Sequence, residues 1–380
     1  MGVVHKGSFD QTKITKIVFT DTAPMEYDEK WFANKSNTED VIGYRSGTVV
    51  YIVGEKIIMN SYSPYLFAAK DRFGFDLWVS LESIEGLDYI DTSKLECAAH
   101  MFEGNMNIKE FDLNSWDMSN VEDVSFMFAK CLNLEKLYVD KWDVSNVEDF
   151  SAFLQGSSHQ GDMKISYIDV SKWVTSSAKD MGHVFYGCGQ LEYIDVSNWD
   201  VRNVKNFSHM FADCFALKTL DITKWETLSV QSFDAFLNDC RSLVSIDISG
   251  LDTSTCTQFS QMFEACIALV EIIGIENLDV SNASKYSFSE MFHCCKSLKK
   301  LDLSLWDTSK ADNFARMFGN CEKLETVNIS GFKIDNLEYV TEMFYNDISL
   351  VEIIGIDELD FSDISDFNTM YNGTNIFFGV

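Results

Sequence analysis

Carboxylates recur at one position along most of this chain. In the segments from 165 to 249 they lie 26 residues apart, and Tyr138 and Asn328 occupy the same position in two other segments. The aspartates of this row are Asp112, Asp169, Asp195, Asp221, Asp247 and Asp302. A row of carboxylates attracts cations or a basic partner, since the charges repel one another. Alternatively, each aspartate hydrogen-bonds a neighbouring Ser or Thr and keeps the surface hydrated.

Three tyrosines are predicted to cluster at one end of this surface, where aromatic anchors of an interface are expected. The segment QGSSHQGDM (155–163) adds five residues to the spacing and is predicted to protrude as a polar loop. The candidate partner-binding residues are Tyr138, Tyr167, Tyr193, Asp169, Asp195, Asp221, Asp247, Asp302 and His159.

Cysteine also recurs at one position, three residues after a conspicuous Met-Phe pair. Its members are Cys131, Cys188, Cys214, Cys240, Cys266, Cys295 and Cys321. One cysteine per copy on an apolar face indicates a small buried thiol, with disulfides or a row of metal ions as the alternative. No C-x-x-C pair or His cluster has the spacing of metal ligands, so we expect no metal and no cofactor.

Enzymatic chemistry has little support in the sequence. Four of the six histidines, at 100, 183, 209 and 293, lie beside the Met-Phe pairs and are interpreted as exposed, variable positions. His293, Cys294 and Cys295 could form a thiol site, but Cys295 belongs to the cysteine row. Glycine-rich phosphate loops and the G-x-S-x-G and H-E-x-x-H motifs are absent from the sequence. We therefore predict that the protein is not an enzyme.

These recurring residues belong to a repeat, as VEDVSFMFAKC (121–131) and VKNFSHMFADC (204–214) illustrate. The Phe of the pair, or its substitute, recurs at intervals of 26, 26, 31, 26, 26, 26, 29, 26, 26 and 27 residues. Its positions are 102, 128, 154, 185, 211, 237, 263, 292, 318, 344 and 371. Such regularity predicts about eleven copies of one structural unit.

Each unit is predicted to contain a strand, a loop and a short helix. In LKTLDITKW (217–225), alternation places Leu220 and Ile222 inward. In SNVEDVSFMFAKC (119–131), the Ser119–Glu122 pair has the form of a capping box, and apolar residues follow at three- and four-residue steps. A single unit cannot bury its apolar face alone, so the units must stack into an α/β solenoid.

A tryptophan row and two caps complete the predicted solenoid. The tryptophans expected in its core are Trp116, Trp142, Trp173, Trp199, Trp225 and Trp306. Residues 1–76 lack the repeat and form a predicted β-rich cap with strands at 14–20, 48–53 and 56–60, the last two joined as a hairpin. Residues 77–380 are the predicted solenoid, closed by a C-terminal cap from about residue 370.

The unit S-x-M-F-x-x-C-x-x-L-x-x-L-D-[LIV]-S-x-W-D-x-S-N-V-x-[DN]-F resembles the BspA-like leucine-rich repeat of bacterial surface proteins. The resemblance covers about 77–371, and FSHMFADCFALKTLDITKW (207–225) is close to the family pattern throughout. It implies a leucine-rich-repeat fold and a non-enzymatic binding scaffold, typically an adhesin or host-recognition protein.

The charge indicates the kind of partner. Net charge is −29, and residues 77–380 carry −28 of it, because residues 1–76 hold 10 acidic and 9 basic residues. This field disfavours nucleic acid and anionic membranes and favours a protein or glycan partner with a basic surface. The alternative is an acidic mimic of nucleic acid that inhibits a nucleic-acid-binding or defence enzyme.

Location follows from targeting signals. The sequence contains no signal peptide, anchor or membrane-spanning run, so we expect no membrane insertion. It favours a virion-borne or cytoplasmic protein, with the cell surface as the alternative if a signal precedes residue 1.

Overall fold

A computed structural model describes residues 9–33, 40–157, 163–361, 364 and 366–374. The chain divides into two compact units, 1–178 and 179–380. This division does not test the cap and solenoid boundary near residue 76, which stays a prediction.

Short strands and turns form the first unit. Its strands are β1 (Lys16–Thr20), β2 (Glu29–Phe32), β3 (Ile42–Ser46), β4 (Val49–Val53), β5 (Ile57–Ile58), β6 (Ser83–Glu85), β7 (Ile90–Asp91), β8 (Glu110–Asp112) and β9 (Lys136–Tyr138). Single 3-10 turns occur at Gln11–Lys13 and Leu87–Tyr89.

The N-terminal region is β-rich, but its hairpin differs from the prediction. Five strands pair in the order β2-β3-β4-β1-β6. β4 forms its hairpin with β3, through a turn at Gly47 whose φ is 59°. Glycine adopts this left-handed conformation without steric cost, which sets the turn there and not at Gly54-Glu55. The segment predicted to pair with β4 contains β5, which pairs in parallel with β7.

Each repeat of the solenoid forms one coil, and stacked coils begin at β5. Beyond it, the backbone N–H groups of Tyr65 and Phe67 donate to the carbonyls of Ala99 and Met101, one coil further along the chain. The Phe67 ring stacks on Phe102 at 5.5 Å between centroids. Coil-like hydrogen bonding and ring stacking therefore extend into residues 65–67, which lack the full repeat pattern and lie inside the predicted cap.

The second unit continues the same plan. Its strands are β10 (Ser245–Asp247), β11 (Glu271–Ile273), β12 (Lys300–Asp302), β13 (Thr326–Asn328) and β14 (Glu352–Ile354), with 3-10 turns at Ile275–Asn277, Ile356–Glu358 and Phe367–Thr369. Strands β10 and β11 pair in parallel, as do β12, β13 and β14. Partner residues such as Lys300 and Thr326 are one repeat apart, so consecutive coils of this solenoid place equivalent residues side by side.

The short helix predicted for each repeat is absent, since the described residues form no α-helix. Its place is taken by a ladder of turns. In one coil the N–H groups of Val124, Phe126 and Phe128 donate to carbonyls of the next coil, at 2.9–3.0 Å. The N–H of Met127 instead donates back to Val124, three residues earlier. Both sets of bonds satisfy the backbone, as burial requires.

Left-handed residues explain why no helix forms. In each coil one such residue lies two positions before the recurring Phe or Leu, and most coils have another two positions after it. The first left-handed column has φ of 50–60° and contains Tyr65, His100, Phe126, Ala152, His183, His209, Ala235, Gln261, Glu290, Arg316 and Glu342. The second contains Gly104, Lys130, Gly187, Asp213, Asp239, Ala265, Cys294, Asn320, Asn346 and Gly373. Two left-handed residues four apart are incompatible with an α-helix.

We expect glycine to stabilise the fold in these columns. Ala265 has φ of 56° and is partly exposed, so Ala265→Gly should relieve strain and raise the free energy of unfolding by about 0.5–1 kcal/mol. Ala268, in the same coil and also partly exposed, lacks a positive φ, so Ala268→Gly should lower it by a similar amount. Denaturant titration of both variants provides the measurement, and destabilisation by both would contradict the role of the column.

The tryptophan row is confirmed as core. All six indoles are at most 4% exposed, and the Nε1–H of Trp225 donates to the carbonyl of Val196 at 3.0 Å. The inward residues Leu220 and Ile222 are buried as well. Because strand, tryptophan and Phe positions all contribute to one interior, each coil is covered by its neighbours in the same compact unit.

Candidate functional site

In each compact unit, the outward side chains of the strands and the equivalent residues of the intervening coils form a strand face, with β8 and β9 in the first unit and β10–β14 in the second. In the first unit β8 and β9 pair in parallel, which places Asp112 beside Tyr138. The Lys136 ammonium pairs with Glu110 across the coils at 3.2 Å. Tyr138 is 40% exposed and therefore available for contact.

Tyr167 and Asp169 lie further along the first unit. Tyr167 is 59% exposed. The Oδ1 atom of Asp169 accepts hydrogen bonds from the hydroxyl of Ser171 at 2.7 Å and from its N–H at 3.1 Å. These bonds lower the pKa of Asp169, because they favour the ionised carboxylate.

In the second unit the same turn recurs at Asp195, Asp221 and Asp247. Each Oδ1 accepts the N–H and the hydroxyl of a Ser or Thr two residues later, at 2.6–3.1 Å. Asp302 accepts the N–H of Ser304 at 3.0 Å. The hydrogen-bonded alternative for the aspartate row is therefore present in the structure, and these carboxylates shape the backbone whether or not they also meet a partner.

Their second carboxylate oxygens differ from the first. Within the described part of the chain, neither Asp221 nor Asp247 forms a salt bridge, and both of their hydrogen bonds use Oδ1. Hydrogen bonds from Thr223 and Ser249 lower the pKa of Asp221 and Asp247 respectively, while repulsion from Asp221 raises that of Asp247. The two ionised carboxylates in neighbouring coils therefore repel one another.

Two isoleucines interrupt the acidic row, an interruption that the sequence analysis missed. Register pairs Ile273 with Asp247 and Ile354 with Asn328, so both isoleucines occupy the aspartate position. They are 44% and 40% exposed. The signal was available, because aligning LVEII (269–273) with LVSID (243–247) places Ile against Asp.

A glycine follows each isoleucine for a steric reason. Gly274 has φ of 86°, and a Cβ there would lie 2.5 Å from the Cα of Ser249. Gly355 has φ of 88°, and its Cβ would lie 2.3 Å from the Cα of Ser330. The copied segments 269–281 and 350–362 therefore lengthen their passage through a tight left-handed turn.

Tyr193 is 51% exposed, in the second unit. His159 and most of the 155–163 loop lie outside the described residues. The prediction that this loop protrudes stays untested, as does the predicted cluster of Tyr138, Tyr167 and Tyr193.

The histidines are less exposed than predicted. His100 stacks between Tyr65 and Phe126, with ring centroids 4.4 and 4.7 Å away. In the second unit His183 and His209 stack at 4.7 Å, and burial lowers the pKa of both. His100, His183 and His209 belong to the first left-handed column, two residues before the recurring Phe. His293 does not belong to that column, because it follows the recurring Phe.

The cysteine row is confirmed as buried free thiols. Cys131 Sγ donates to the carbonyl of Phe102 at 3.1 Å, and Cys266 repeats this bond to Leu237. Burial raises the pKa of both thiols to about 12, which keeps them protonated as donors. No group of three or more His, Cys, Asp or Glu within the described ranges could hold a metal ion.

A groove of about 660 Å³ in the first unit was also missed. Tyr62 and Phe73 line it and are 71% and 68% exposed, and the Arg72 guanidinium lies 4.6 Å from the Phe73 ring centroid. Its residues precede the recognisable repeats, so the periodicity gave no signal for it.

Parallel ladders, buried leucine positions and a tryptophan row together define a repeat solenoid of the leucine-rich-repeat type. The chain belongs to the family described as "Mycoplasma protein of unknown function, DUF285", whose model matches residues 81–164, 157–275 and 268–379. No curated protein matches the sequence.

Two solved structures show a limited likeness. A leucine-rich repeat protein from Eubacterium ventriosum aligns over 93% of this chain and 96% of its own, at 14% identity and a TM-score of 0.40. A TLR13–ssRNA13 complex aligns over 73% of this chain and 54% of that chain, at 10% identity and a TM-score of 0.20. Similarity this low supports no argument about the binding partner.

Among the described residues, no helix is long and apolar enough to cross a membrane.

Proposed function

We propose that this protein is a non-enzymatic binding scaffold of the BspA-like type, which recognises a protein with a basic surface through its strand face. In this proposal residues 1–76 cap the array and residues 77–380 carry the interface. An adhesin or attachment role, on a virion or a cell, is the setting that the resemblance favours.

One observation carries the proposal. Asp221 and Asp247 are neighbours on the strand face. In each, Oδ1 accepts the hydrogen bonds of its own turn, while Oδ2 has no hydrogen bond within the described chain. A Lys or Arg side chain that approached both would relieve their mutual repulsion and gain a charge-assisted hydrogen bond. The exposed Tyr193 would supply an aromatic contact on the same face.

The chain itself offers a substitution that removes charge without removing the turn. Asn328 occupies the aspartate position, and its Oδ1 accepts the N–H of Ser330 at 3.1 Å. Asp221→Asn combined with Asp247→Asn should therefore fold normally. We expect it to weaken binding of a Lys/Arg-rich peptide by about 5- to 30-fold, or about 1–2 kcal/mol, measured by fluorescence anisotropy.

The matched control is Asp252→Asn with Asp279→Asn. Both residues accept the N–H of a Ser two residues later, Ser254 and Ser281, but lie outside the strands. The control removes the same net charge and should leave peptide binding nearly unchanged. Equal weakening by both pairs would contradict recognition by the strand face and would favour the acidic mimic, which depends on total charge. Binding unaffected by either pair would overturn both proposals.

A further inference from the structure

Cys294 differs from every other cysteine of the chain. All ten cysteines are in described segments; nine are buried and Cys294 is partly exposed. Its neighbour Cys295 belongs to the buried row and donates from Sγ to the carbonyl of Phe263 at 3.0 Å. Cys294 Sγ instead faces the imidazole of His293, 3.7 Å from Nε2.

The backbone accounts for this separation. Cys294 has φ of 60° and belongs to the second left-handed column, whose other members include Lys130 and Asp213. The left-handed conformation interrupts the run of buried residues between Phe292 and Cys295. The thiol is consequently held at the edge of the turn ladder, within reach of solvent.

His293 is positioned to take the thiol proton. Its Nδ1 lies 3.4 Å from Oε1 of Glu264, whose Oε2 accepts a hydrogen bond from Asn238 at 2.8 Å. The amide nitrogen of Asn320 lies 3.1 Å from Nε2 and shares that atom with the thiol. Burial lowers the pKa of His293, but hydrogen bonds with Cys294 and Glu264 outweigh it and raise the pKa to about 10. These two contacts therefore favour the imidazolium, whose positive charge would stabilise a thiolate at Cys294.

We propose that Cys294 is a nucleophilic thiol, activated by His293 and supported by Glu264, that exchanges with small-molecule disulfides to form a mixed disulfide. A protonatable base beside a partly exposed thiol is the arrangement that favours thiolate chemistry. The site belongs to the turn ladder and not to the strand face, so it stands independently of the proposed function.

The exchange balances without another reactant. The Cys294 proton moves to His293 Nε2, and the thiolate attacks one sulfur of the disulfide RSSR. The new bond joins Sγ to that sulfur while the original S–S bond breaks. The released RS⁻ takes the proton from His293 and leaves as RSH. Cys294 is oxidised, one half of RSSR is reduced, and excess thiol reverses the modification.

The test uses the full reduced chain and dithiodipyridine, a neutral disulfide that the acidic protein does not repel. We expect a rapid release of one equivalent of thiopyridone in the native state and of all ten in guanidinium. Cys294→Ser should abolish the rapid phase, and mass spectrometry should place the adduct on Cys294. The matched control Cys256→Ser removes a buried thiol and should leave that phase unchanged.

Two further variants test activation rather than exposure. His293→Gln should slow the rapid phase by about tenfold or more, and Glu264→Gln by a smaller factor. The melting temperature of each variant shows whether folding is retained, and Glu264→Gln serves if His293→Gln is destabilised. A rapid phase that survives Cys294→Ser would overturn the site. Rates unchanged in both folded variants would overturn its activation by His293.

Discussion

Asp347→Asn should stabilise the protein at alkaline pH and have little effect at acidic pH. Asp347 occupies the cysteine position of its coil and is fully buried. Its Oδ1 accepts the N–H of Cys321 at 2.7 Å, but its Oδ2 is buried with no hydrogen-bond partner among the described residues. Burial raises the pKa of this carboxyl to about 8, against a partial opposing effect of the Cys321 hydrogen bond.

The sign of the pH dependence follows from linkage. The unfolded carboxyl has a pKa near 4, about four units below the folded value. Below pH 4 both states are protonated and the group costs nothing. Between about pH 4 and pH 8 the unfolded state ionises first, so the free energy of unfolding falls, and above pH 8 the loss is complete. Its size is roughly 4–6 kcal/mol for a shift of this order.

Urea titrations of wild type and Asp347→Asn at pH 5 and pH 8.5 measure the effect. Because coils of a repeat protein can unfold separately, hydrogen exchange of the Cys321 amide should accompany the midpoints. Asp347→Cys is the companion variant, since Cys321 already donates to the carbonyl of Phe292 and a thiol at 347 restores the row. A stability difference that is the same at both pH values would exclude Asp347 as the titrating group.

Trp225→Ala should lower the free energy of unfolding by about 3–5 kcal/mol. The indole is 1% exposed, stacks on Phe207 at 5.0 Å and satisfies the carbonyl of Val196. The substitution leaves a cavity between coils and an unpaired buried carbonyl, and both effects destabilise.

The tryptophan row supplies graded controls. Phe332 fills this position in another coil, so Trp225→Phe should fit and cost about half as much as alanine. Lys224→Ala, next to it and exposed, should change the free energy of unfolding by less than about 0.5 kcal/mol. Denaturant titration compares the three, and equal losses for alanine and phenylalanine would show that the hydrogen bond, not ring volume, dominates.

The spacing of the repeats and the buried rows could be predicted because stacking repeats one environment in every coil. Trp225 belongs to the buried tryptophan row and Cys240 to the buried cysteine row. The common spacing of 26 residues is sufficient to identify each row in the sequence. The hairpin at Gly47 required knowledge of which strand pairs with which, and that choice depends on tertiary contacts.

The prediction of a helix was wrong because the same pattern of apolar residues fits two backbone structures. Val121, Val124, Phe128 and Cys131 share one buried side in a helix, and they share it equally in a series of three-residue turns. What separates the two is the backbone of Phe126 and Lys130, whose positive φ is uncommon for such residues. Only hydrogen bonds to the next coil offset that strain, and one isolated unit does not reveal them.

The binding surface was predictable in outline only. Alternation identifies Asp221 as outward, and Thr223 two residues later makes its turn predictable. Whether Oδ2 meets a partner depends on a molecule that the sequence does not describe. The reach of Cys294 toward His293 follows from the left-handed backbone, for which a Cys-Cys pair gives no sequence signal.

The tight glycine turns have a genetic consequence. The segments ending at Gly274 and Gly355 are near copies 81 residues apart, a distance of three whole coils. Each meets the preceding coil in the same way, through a serine Cα that leaves no room for a Cβ. Recombination between the two stretches of gene would remove or add three complete coils and rejoin matching ends. Such a gene can change the length of its product in one event while preserving the contacts on which each coil depends.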